Sequence, residues 1–89
     1  MITLKNIDEI NSMHALIKRS ETGKPVQFAR KLGISERKLY NLFNILKKLG
    51  APIKYDKEVK TYYYNTEFEL FIDKKITVIT EGHTRVIHL

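Results

Sequence analysis

The chain contains no cysteine. That excludes disulfide staples, thiolate nucleophiles and cysteine metal sites together. It also has no long apolar run. The first twenty residues mix Lys5, Asp8, Glu9, Lys18 and Arg19 with apolar side chains, so neither a signal peptide nor a membrane span is expected there. A cytoplasmic protein is the expectation. Repeats, low-complexity stretches and linkers are missing too, as are paired carboxylate sites, glycine-rich phosphate loops and metal-ligand spacings. His14, His83 and His88 are far apart in the sequence and read as ordinary core or surface histidines. No enzyme activity and no cofactor are expected.

What is present fits a single small domain. Eighty-nine residues leave little room for a second domain, and for an effector-binding domain none. If the protein is regulated, abundance, a partner or a modification must do it. The apolar share of 43% is that of an ordinary globular chain. The net charge of +6 is unevenly placed. Between Lys24 and Gly50 stand Lys24, Arg30, Lys31, Arg37, Lys38, Lys47 and Lys48 against Glu36 alone, and the remainder of the chain is neutral. Such a cluster is either a solvated basic face or a footprint for a polyanion.

Periodicity divides the chain into helices, then strands. Ile2-Thr3-Leu4 reads as a short strand or a lead-in. Asn6 and Glu9 have the spacing of a capping box, and Ile7, Ile10, Met13 or His14, and Ile17 recur at helical intervals, which predicts a helix over about 7–20. Pro25 suits the first position of a second helix, with Phe28, Ala29 and Leu32 on its inner face. Gly33 stands where a helix needs a left-handed residue to stop, and Ser35 can cap the third helix. Leu39, Leu42, Phe43, Leu46 and Leu49 then form one apolar stripe, ended by Gly50 and Pro52. The opposite side of that third helix carries Arg37, Asn41, Asn44 and Lys48, flanked by Lys38, Tyr40 and Lys47. All are hydrogen-bond donors and none is a carboxylate.

Beyond Pro52 the period becomes two. Ile53-Lys54-Tyr55 and Thr61-Tyr62-Tyr63-Tyr64 read as strands around the turn Asp56 to Lys60. Phe68 to Ile72 is a candidate strand. Ile76 to Thr80 and Thr84 to Leu89 read as a closing hairpin with Gly82 in its turn. The fold class is therefore α+β: a three-helix bundle with a β hairpin, plus a C-terminal β-hairpin.

The stretch Pro25 to Leu32, the turn Gly33-Ile34-Ser35, Leu39-Tyr40, the Leu42/Leu46/Leu49 stripe and "LGAPIKYD" together carry a resemblance. They resemble the winged helix-turn-helix DNA-binding domains of bacterial repressors, of the DeoR-like and biotin-repressor N-terminal type. The likeness covers about residues 6 to 66. It implies a winged helix-turn-helix domain over 1–66, with 67–89 as a β extension of the same domain. It implies sequence-specific double-stranded DNA binding and transcriptional regulation, with the third helix in the major groove and two copies pairing as a homodimer through the apolar C-terminal hairpin, the first helix or both; the alternative is that this hairpin folds back on the wing sheet or the first helix of its own chain. The implied contacts are Lys24, Ser35, Arg37, Lys38, Tyr40, Asn41, Asn44 and Lys48, with Lys57 and Lys60 on the wing. The alternative is a winged-helix module that binds another protein and not DNA. Two departures stand out. The wing turn, with Asp56, Lys57, Glu58 and Lys60, has no net charge, whereas such wings are commonly basic. Lys24 also occupies a capping position where Ser or Thr is usual, which leaves the second helix either less well capped or capped by Thr22.

Overall fold

The structure, a computed structural model, describes residues 4–73 and 75–88. The elements run α1 (Leu4–Lys18), α2 (Pro25–Leu32), α3 (Glu36–Lys48), β1 (Ile53–Asp56), β2 (Thr61–Tyr64), β3 (Phe68–Ile72), β4 (Lys75–Thr80) and β5 (His83–His88). The class is α+β, with two separate antiparallel sheets ordered β1-β2 and β3-β4-β5.

All three helices end in the same way. After α1, Ser20 turns left-handed at φ 54°, Ser20 N–H donates to Ile17 O and Glu21 N–H to Leu16 O, both at 3.0 Å. After α2, Gly33 has φ 69°, and Ile34 N–H donates to Ala29 O at 3.0 Å. After α3, Gly50 N–H donates to Lys47 O and Ala51 N–H to Leu46 O, both at 3.0 Å. Each pair satisfies carbonyls the helix would otherwise leave bare. The starts differ. Ser35 Oγ accepts from Lys38 N–H at 3.1 Å, as its spacing predicts. Lys24 has no side chain that can accept, so Gln27 Oε1 reaches back to Lys24 N–H at 2.9 Å. Thr22, which could have capped α2, is buried instead. Its hydroxyl accepts from Tyr62 N–H at 2.8 Å, and its N–H donates to Thr61 Oγ1 at 3.1 Å, tying the α1–α2 loop to β2.

The first helix starts earlier than the capping-box spacing suggests. It begins at Leu4 and contains Asn6, because Leu4 and Lys5 are good helix formers with no breaker beside them. Residues 2 and 3 of the expected strand or lead-in lie outside the described residues, as does residue 89 of the expected last strand.

One core unites the molecule. Ile10, Met13 and Ile17 of α1, Phe28 and Ala29 of α2, and Leu39, Leu42, Phe43 and Leu46 of α3 are buried together. Each fully buried aliphatic or aromatic side chain contributes roughly 1.5–3 kcal/mol. Phe68 and Leu70 of β3 and Ile76 and Val78 of β4 join the same cluster. The expected C-terminal hairpin is β4 paired with β5, and the candidate strand Phe68 to Ile72 joins it as a third strand; the sheet covers its own chain's helices. Its other face stays open: Phe71, Thr77 and Val86 share one cross-strand row, with Phe71 57% and Val86 44% exposed.

Candidate nucleic-acid interface

The α2–turn–α3 unit holds α3 with its leucine stripe inward, so the remaining faces of the helix meet solvent. Arg37, Asn41, Asn44 and Lys48 are all exposed, and Tyr40 is 49% exposed beside them. Charge and amide donors therefore line one free face, as the wheel predicts. Lys24, at the N-terminal end of α2, is exposed too.

Two expected contacts have work inside the protein. Ser35 Oγ is the α3 cap. Lys38 is only half-buried, and its Nζ lies 3.0 Å from Glu9 Oε1 of α1. That ion pair ties α3 to α1 and offsets the Lys38 charge. Sequence periodicity could not pair residues that lie on two helices and far apart in the chain.

Lys57 and Lys60 are exposed in the β1–β2 turn. Asp56 Oδ1 organises that turn by accepting from Glu58 N–H at 2.8 Å and Val59 N–H at 3.3 Å. Lys60, Arg30 and Lys31 then line a hollow of about 500 Å³ between α2 and the turn, with no carboxylate in its wall. Part of that charge is engaged, since Lys31 Nζ donates to Glu21 O at 2.7 Å.

The largest surprise lies on the flank of α3. Tyr40, Asn44 and Lys47 face Lys54 and Tyr55 of β1 and Tyr62 of β2 across a cleft of about 320 Å³, floored by Phe43 and Ile53. Lys54 and Tyr55 were not candidates from sequence, Lys47 entered only in the basic cluster and on the flank of the polar stripe, and Tyr62 only as a strand residue. The available signal was the aromatic pairing in the hairpin: Tyr55 and Tyr62 are register partners, with ring centroids 4.7 Å apart.

A second polar cluster is structural in character. His14, buried on α1, meets the Tyr64 hydroxyl through Nδ1 at 2.7 Å, and its Nε2 lies 3.6 Å from Glu69 Oε1. Lys18 pairs with the other Glu69 oxygen. Burial lowers the His14 pKa from 6.5 despite the opposing pull of Glu69. The Lys18 hydrogen bond holds Glu69 below the ordinary carboxylate value of 4.5. Burial, aided by the Glu69 charge, pushes the Tyr64 phenol up. Tyr64 and Phe68 rings close over the imidazole.

Among the described residues, no three His, Cys, Asp or Glu side chains stand together in a way that could hold a metal ion. Nor is any helix among them long and apolar enough to cross a membrane. No protein-family model, curated protein or solved structure matches the chain.

Proposed function

We propose that this chain is a winged helix-turn-helix protein that binds double-stranded DNA by sequence and regulates transcription in the bacterial cytoplasm. In this reading α3 enters the major groove, which is wide enough for a helix, and α2 braces it. The β1–β2 hairpin is the wing. The protein acts by binding, without catalysis or a cofactor. The observation that carries the reading is the free face of α3, where Arg37, Asn41, Asn44 and Lys48 are exposed together with no carboxylate among them. Arg suits guanine O6/N7 and Asn suits adenine N6/N7. Two copies pair, so that two recognition helices read a symmetric site. Exposed Phe71 and Val86, on either side of half-buried Thr77, supply an apolar surface for that pairing.

A protein-binding role without DNA is the competing reading, and Val59, 69% exposed at the tip of the hairpin, favours it. Fluorescence anisotropy with mixed genomic duplexes separates the two. Under the DNA reading, with about four to six phosphates neutralised per protomer, log K falls against log salt with a slope of roughly −4 to −5. No binding at low salt would leave the protein-binding role standing. Selection of bound fragments from a genomic library then gives the operator.

A further inference from the structure

The wing turn has no net charge to offer a DNA backbone, yet the base of the same hairpin does. Lys54 on β1 faces Lys47 on α3 across the 320 Å³ cleft, with Asn44 and three tyrosines between them. No acidic side chain lines it. Among the described residues, the side chains of Asn44, Lys47 and Lys54 make no hydrogen bond or ion pair to the protein, so their donors remain available.

The tyrosines show which part of a nucleic acid fits. Tyr62 lies with its ring centroid 4.6 Å from Phe43 and 4.7 Å from Tyr55. The Tyr62 ring is thus packed against Phe43 and Tyr55 and offers a base little free face to stack on. The hydroxyl ends are a different matter. Burial raises the Tyr62 pKa first, and the Tyr40 and Tyr55 phenols raise it further, as neighbouring hydroxyls do when they lie close together. Phenol O–H, amide N–H and ammonium groups thus line one cleft with no carboxylate among them. Charge-assisted donors in such an array suit a phosphate oxygen, which accepts several hydrogen bonds at once.

We propose that the cleft between α3 and β1 seats a phosphodiester of the DNA strand bordering the groove that α3 enters. The inference rests on the DNA reading above and adds its backbone contact. Lys47 and Lys54 supply charge from opposite walls. Tyr40, Tyr55 and Asn44 fix where the phosphate sits, and with it the depth and register of α3 against the bases.

The test uses the full chain and duplex DNA from the genomic selection. Lys47→Gln and Lys54→Gln should each make the salt slope shallower by about 0.9. Tyr40→Phe combined with Tyr55→Phe should weaken binding about threefold to tenfold and leave the slope alone. Lys75→Gln, on β4, should change neither. Duplexes carrying one neutral methylphosphonate linkage locate the contact. The unaltered protein should lose affinity at one or two linkages bordering the groove, and Lys47→Gln should lose nothing further there. Duplex binding that keeps its slope and affinity in all these cleft variants overturns the seat and leaves the DNA reading intact. Absence of duplex binding at low salt overturns both. Saturable binding of inorganic phosphate alone, read by tyrosine fluorescence at fixed ionic strength, would reassign the cleft to a free anion and overturn it as a DNA contact.

Discussion

His14 links the chemistry of one residue to the stability of the whole. Its pKa is lower in the folded protein than the ordinary 6.5, so unfolding takes up protons as the pH falls below that value. Stability is therefore full above about pH 6.5 and declines as the pH drops toward the folded-state value. Glu69, also lowered, adds a further loss below its ordinary 4.5. Thermal melts across pH 4 to 8 should show a plateau above pH 7 and a fall below. His14→Gln should remove the upper part of that fall; an unchanged profile would show that another group causes it. The same scale governs specificity. Arg37→Ala or Asn41→Ala should cost roughly 1–3 kcal/mol of binding to the selected site and relax the preference at one base pair. Lys48→Ala should weaken all sequences alike. Equal losses on selected and random DNA would make Arg37 a phosphate contact only.

Between α2 and α3 the chain has three residues in which to change direction, and two of them carry the turn. Gly33 sits at φ 69°, and a Cβ there would meet nothing within 4 Å. The penalty for Gly33→Ala is thus backbone strain alone, about 1–2 kcal/mol. Ser35→Ala removes the acceptor for Lys38 N–H and should cost about 0.5–2 kcal/mol. Both losses can be read by urea denaturation. If either variant matched the unaltered protein, the turn geometry would be set elsewhere. Lys38 belongs to this scale as well. Since Glu9 stands 3.0 Å from its ammonium, reversing the Lys38 charge should loosen α3 from α1 as well as weaken DNA binding. Reversing Lys57 in the neutral, exposed turn should affect neither strongly. Comparable losses from both would show that the wing tip contributes despite its composition.

At the scale of the molecule, the C-terminal sheet is part of the core. Ile76 and Val78 are 2% exposed, so deleting residues 74–89 opens the interior and should abolish cooperative unfolding. Deletion is therefore a poor probe of pairing between copies. Phe71→Lys with Val86→Lys places charges on the open face instead and leaves the inward residues alone. If two copies pair there, light scattering should give twice 10.5 kDa for the unaltered chain and 10.5 kDa for the double variant, with weaker operator binding. A monomeric mass for the unaltered chain at high micromolar concentration would overturn the pairing.

The sequence by itself determined what depends on near neighbours. Helical spacing from Leu39 to Leu49 defined the buried and free faces of α3. Gly33 and Ser35 marked the turn, because left-handed backbone and capping are chemistry of one or a few consecutive residues. The β1 and β2 strands followed from Ile53-Lys54-Tyr55 and Thr61 to Tyr64. Only the tertiary structure decided what depends on distant ones. Thr22 was free to cap α2 until β2 arrived to claim its hydroxyl. Lys38 carried an uncommitted charge until packing set Glu9 beside it. Phe68 to Ile72 became an edge strand because β4 paired with it over the α1 core. The cleft joining Lys47 to Lys54 exists only because α3 and the hairpin pack side by side, and no period along the chain encodes a distance between two elements.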